Sequence, residues 1–77
     1  MTFEGTHGHP IRMKAREVIK ALEADGWVEA RSKGSHRQFR HSFKLGLVTV
    51  AVHGGRDLKP RDIASIERQA ALKLRKD

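Results

Sequence analysis

The stretch GLVTVAVHGG, residues 46–55, decides the fold. Val48, Val50 and Val52 alternate with Leu47, Thr49 and Ala51, and β-branched residues at a period of two fit one half-buried antiparallel strand. The glycines that bracket the run, Gly46 before it and Gly54 and Gly55 after it, stand where the chain has to turn. Working backward, two more runs read as strands, His36 to His41 and Trp27 to Lys33, with Gly34 at the reversal between them. The third strand is taken as Leu47 to His53.

The flanking segments change period. MKAREVIKALEADGW, residues 13–27, puts Ala15, Val18, Ile19 and Leu22 on one helical stripe, with Glu17, Lys20 and Glu23 outside it and Gly26 as the stop. DLKPRDIASIERQAALKL, residues 57–74, starts a second helix with Pro60 in its first turn and Asp62 near its positive end. Ile63, Ile66 and Ala70 form its stripe, and Lys73, Arg75 and Lys76 are expected at its C-terminal end. The predicted order is α-β-β-β-α, an α+β fold. Each helix has one apolar stripe and the sheet has one strongly apolar face, so both helices cover that face and the other is left to water and ligand. Residues 1–12 mix Gly, His, Thr and Pro without periodicity and read as a flexible leader, with residues 13–77 as a single domain.

A chain of 77 residues buries only about 60% of the surface it exposes when unfolded, which leaves room for one compact core and no second domain. Cysteine is absent, which excludes disulfides and thiolate metal sites. No apolar run approaches the roughly 20 residues of a membrane span, and the N-terminus lacks the apolar centre of a signal peptide. A soluble cytoplasmic protein is expected. The net charge of +7 is concentrated in residues 31–61, where eight basic side chains (Arg31, Lys33, Arg37, Arg40, Lys44, Arg56, Lys59, Arg61) meet one acid, Asp57. Such a patch suits phosphates or an acidic partner, although it also serves as a solubilising surface.

Alternation along the second strand assigns the faces. If Phe39 enters the core, His36, Gln38 and Arg40 turn outward. With the valines of the third strand buried, Thr49 and His53 share that open face, and Lys33 and Ser35 stand at its hairpin edge. Arg37 and His41 fall on the Phe39 side. Cleavage of RNA without a metal needs a base for the 2′-hydroxyl proton, an acid for the leaving oxygen and cations for the phosphorane. Histidine, with an ordinary pKa of about 6.5, suits either proton role, and Arg or Lys suits the third. A lone surface histidine does not by itself distinguish a base from a solvated side chain. Gly34 and Ser35 likewise suit either a phosphate contact or simple turn geometry.

The runs MKAREVIKALEADGW, GSHRQFRH and GLVTVAVHGGRDLKPRDIASIERQA together resemble the HicA toxin family, small ribonucleases of bacterial toxin–antitoxin pairs. The resemblance covers residues 13 to about 72, and its G-S-H-x-x-F element is the most specific part. It implies a double-stranded-RNA-binding-domain-like fold, mRNA cleavage as an mRNA interferase, and a hetero-oligomer in which a HicB-type antitoxin covers the active surface. The family's catalytic histidine maps onto His36. RNA-binding positions are expected at Lys33, Gly34, Ser35, Gln38, Arg40 and His53, with His53 the first candidate for a second proton carrier, and no metal or cofactor is expected. The alternative reading is a noncatalytic RNA-binding module using the basic sheet face.

Three further features bear on chemistry alone. His7 and His9 form an H-x-H pair without further ligands, which argues against a metal site. The helix start after Gly54 and Gly55 offers a weak phosphate-docking signal. Trp27, directly after a helix stop, is expected in the core, and the scarcity of aromatics argues against a dedicated single-strand reader.

Overall fold

A computed structural model describes residues 13–74; the leader, with His7 and His9, and the basic residues Arg75 and Lys76 lie outside the described residues. The elements follow in the order α1 (Ala15–Ala24), β1 (Trp27–Lys33), β2 (His36–His41), β3 (Leu47–Ala51) and α2 (Pro60–Ala70). The strands form one antiparallel sheet in the order β1-β2-β3.

α1 starts where Lys14, in extended conformation, donates its backbone N–H to the Glu17 carboxylate at 2.8 Å. Its ammonium donates to the Gly55 carbonyl at 2.6 Å and pairs with Asp57 at 3.3 Å, while Leu58 N–H donates to the Met13 carbonyl at 2.8 Å. These contacts bind the start of α1 to the loop that leads into α2. The Gly55 carbonyl is thereby engaged by Lys14, and α2 begins only at Pro60, so the glycine pair does not form the start of the helix.

The sheet is pleated around Phe39. Trp27, Phe39, Val48 and Val50 face the helices and are at most 1% exposed, packed against Ala15, Val18, Ile19 and Leu22 of α1 and Ile63, Ile66 and Ala70 of α2. Each of the large apolar side chains contributes about 2 kcal/mol by leaving water. Both predicted stripes are the ones that are buried. The β1–β2 reversal is a two-residue loop, Gly34 and Ser35, with positive φ (59°) only at Gly34, as a type II′ hairpin turn requires.

Register assigns every residue of the outer face. Lys33 pairs with His36 and His36 with Ala51; Arg31 pairs with Gln38 and Gln38 with Thr49; Val28 pairs with Arg40 and Arg40 with Leu47. Between Glu29 and Arg31 the register slips by one residue at Ala30. Strict alternation from buried Trp27 would send Arg31 and Lys33 toward the helices; one extra residue reverses the parity and brings both onto the open face.

Two boundaries differ from the sequence expectation. β3 ends at Ala51 rather than His53, because after the Val52 N–H donates to the Ser35 carbonyl at 2.7 Å the β2–β3 pairing runs out and the chain turns at Gly54. α2 ends at Ala70 with Ala71 in the left-handed region (φ 49°), so Lys73 lies past the helix and its closing carbonyls are met by a different cation, Lys44. Among the described residues no helix is long and apolar enough to cross a membrane.

Candidate functional site

His36 opens β2 directly after the Gly34–Ser35 turn, on the outer face and exposed. Its ring takes no hydrogen bond from any described residue and lines a hollow of about 150 Å³. The sheet contributes Thr49 and Ala51 to this hollow beside His36, and α2 contributes Asp62, Ser65 and Gln69 over a floor of Leu58 and Ile66. α2 therefore reaches past the β3 edge and walls the site from the side. Strand parity alone brings His36 and Thr49 together, whereas the polar flank of α2 joins them only through tertiary packing. The only available signal was the spacing of Asp62, Ser65 and Gln69 along one side of the helix, adjacent to its apolar stripe.

The remaining expected residues fall at graded distances from that ring. Lys33 is the cross-strand neighbour of His36, and Gln38 lies next along the face opposite Thr49 and Arg31. Arg31 was counted in the charge excess but not placed in the site, and the slip at Ala30 is what adds it. Ser35 is half-buried and its carbonyl is used by Val52. His53 lies beyond β3 in a neighbouring hollow of about 270 Å³ with Arg56, Asp57, Lys59 and Asp62. The two hollows share Ala51, Leu58 and Asp62, so His53 stands beside the His36 site rather than across from it. Arg40 shares the face but sits four residues along the strand, about 13 Å from His36 at the usual rise, and borders two other hollows.

The charge patch separates into engaged and open cations. Arg37 lies on the helix side and bonds the Glu29 carboxylate through Nε at 3.1 Å and through Nη2. This hydrogen bond holds Glu29 below its ordinary carboxylate value and raises Arg37. Lys44 uses all three ammonium protons, on Asp25 Oδ2 (2.6 Å) and on the carbonyls of Ala70 and Ala71 (both 2.9 Å). It ties together the C-terminal ends of both helices, where partial negative charge accumulates. The hydrogen bond from Lys44 is the main cause that holds the Asp25 carboxyl below its ordinary value, while the Trp27 indole N–H is buried without a hydrogen-bond partner among the described residues. Lys44 is thereby fully used, and Arg37 is engaged on the helix side, away from the open face. On the open face Arg31, Lys33 and Arg40 carry no such partner among the described residues.

His41, at the far end of the same strand, is locked. Its Nδ1 accepts the backbone N–H groups of Phe43 (2.9 Å) and Lys44 (3.2 Å), which leaves the ring proton on Nε2 to donate to the Asp25 carbonyl at 2.6 Å. Trp27 meets the ring edge-on at 5.1 Å. Gly26, with φ 104°, passes so close that a Cβ there would lie 2.8 Å from His41 Nε2. The inward assignment of His41 is correct, and its role is structural. Trp27, likewise, is core at 1% exposed.

Among the described residues no group of three or more His, Cys, Asp or Glu side chains is arranged to hold a metal ion. The site thus offers one exposed imidazole, hydroxyl and amide groups at its rim, and cations on the neighbouring row. Residues 15–72 match a family model described as the HicA toxin of bacterial toxin–antitoxin systems. No curated protein matches the chain.

Proposed function

The chain belongs to the HicA toxin family, and from that premise we propose that it is an endoribonuclease acting on mRNA in the cytoplasm, with His36 as its acid–base residue. The observation that carries this reading is the His36 ring itself: exposed, without a partner among the described residues, and opening into a hollow beside cations that have none there either. In this reading the RNA backbone lies across the outer face, with phosphates on Lys33 and Arg31 and the Gly34–Ser35 turn beside them. His36 takes the proton of a 2′-hydroxyl, the oxygen attacks the adjacent phosphorus, and the bond to the 5′ oxygen breaks. The products are a 2′,3′-cyclic phosphate and a 5′-hydroxyl. Lys33 and Arg31 offset the charge that builds on the phosphorane.

The departing oxygen takes its proton from water or from a second donor. His53 is the candidate for that role, since His41 is committed to the opposite face and His53 lines the adjoining hollow. Gln38 and Thr49 offer hydrogen bonds to the nucleotide on the next row. No metal takes part in this chemistry, so cleavage is expected to persist in excess chelator. A HicB-type antitoxin silences the protein by covering the outer face.

Purified antitoxin-free protein is expected to cut RNA, and His36→Ala to slow cutting at least roughly 100-fold, the lower range for loss of a general acid–base group, without change in RNA affinity or melting temperature. Undiminished cleavage by that variant overturns the assignment. Binding without cleavage by the wild-type chain would replace it with the noncatalytic RNA-binding module.

A further inference from the structure

At the far end of the outer face the chemistry changes. Val28, Phe43, Leu45 and Leu47 are 67%, 89%, 93% and 43% exposed. Val28 and Leu47 flank Arg40 in one row across all three strands, and the β2–β3 loop carries Phe43 and Leu45 beside it. Hollows of about 310 and 280 Å³ open on either side of Arg40. None of these apolar side chains belongs to the core, so folding does not account for them. Their loop is nevertheless held in place, because His41 Nδ1 accepts the N–H groups of Phe43 and Lys44 and the Lys44 ammonium is anchored on both helix ends. A fixed apolar patch centred on an arginine has the composition of the middle of a protein interface, and its rigidity lowers the entropy cost of docking.

The occupant follows from charge. A second copy placed on this patch by a two-fold axis would set Arg40 against Arg40 between two chains of net charge +7. RNA gains less here: three of the four apolar side chains, Val28, Leu45 and Leu47, have no π face for stacking, and Phe43 alone offers one. We infer that this end of the sheet is the anchoring surface for an acidic protein segment, which seats apolar side chains around Phe43 and Leu45 and sets a carboxylate on Arg40. Taken with the functional reading above, on which the identity of the partner rests, that segment belongs to the antitoxin. Anchoring and occlusion are then spatially separate, with the anchor about 13 Å along β2 from the His36 hollow it helps to cover.

The test uses the cognate HicB-type antitoxin, titrated against full-length protein carrying His36→Ala so that affinity is read without cleavage. Adding Phe43→Ser with Leu45→Ser is expected to weaken binding by at least roughly 30-fold, the scale of a lost interface hot spot, with RNA affinity and melting temperature unchanged. Leu45→Ser alone, at the most exposed of the four, is expected to weaken binding in the same direction. In the His36-intact chain the double variant is expected to cut RNA at the wild-type rate yet escape neutralisation. Unchanged antitoxin affinity in both variants overturns the inference, as does weakened RNA binding with antitoxin affinity intact. A wild-type chain that fails to cut RNA, while the double variant loses the antitoxin, overturns the functional reading and supports this surface.

Discussion

The two ends of β2 carry a histidine each and treat it in opposite ways. His36 follows a two-residue turn, faces away from the helices and keeps its ring free over a hollow. His41 faces the helices, engages three backbone groups and lies edge-on to Trp27. Five residues apart, an odd number, they point to opposite faces of a pleated strand. An imidazole whose two nitrogens are both satisfied has no capacity left for proton transfer to a ligand, whereas an unengaged ring gives the fold little stability to lose. The cations follow the same division: Arg37 and Lys44 hold the helix side together, while Arg31, Lys33 and Arg40 face solvent.

The sharpest way to break this contrast is to remove each ring in turn. His41→Ala is expected to lower the melting temperature by about 10 °C, since roughly 2 kcal/mol of satisfied polar contacts and packing is lost in a domain of this size. His36→Ala is expected to leave it unchanged while cleavage fails. Thermal denaturation followed by circular dichroism checks both, and equal losses of stability would erase the distinction.

A smaller effect separates the cations. Arg31→Gln is expected to reduce the slope of log affinity for RNA against log salt by up to about one, for one phosphate contact, with stability intact. Arg37→Gln is expected to leave that slope alone and lower stability, because its guanidinium lies on the helix side and is paired with Glu29. Identical salt slopes in both variants would dismiss the role assigned to the slip at Ala30.

The smallest effect lies at acid pH. Asp25 and Glu29 are both held below their ordinary values of 3.8 and 4.5, chiefly by hydrogen bonds from Lys44 and Arg37. A carboxyl depressed in the folded state binds fewer protons than it does unfolded, so its stabilisation is present above the unfolded value and is lost as pH falls through the folded one. Melting temperature is therefore expected to be flat above about pH 5 and to fall below it, with the fall shallower in Asp25→Asn. An acid limb unchanged by that substitution would sever the link to Lys44.

Much of this was legible in the residues. The alternation of Val48 and Val50 and the stripes of Ala15, Val18, Ile19, Leu22, Ile63, Ile66 and Ala70 fixed the element order and the core, because burial periodicity is written locally in each segment. Parity from Phe39 alone turned His36 outward and His41 inward. Register slips, overhangs and tethers are not local. The extra residue at Ala30 that re-aims Arg31 and Lys33, the flank of α2 that walls the His36 hollow, the capture of Lys44 by two helix ends and the apolar patch around Arg40 each depend on how separate segments meet. Away from such a slip, a strand specifies which way its side chains point; only the packed sheet and helices decide where the parity breaks and what the side chains point at, since those encounters depend on pairings that no single segment encodes.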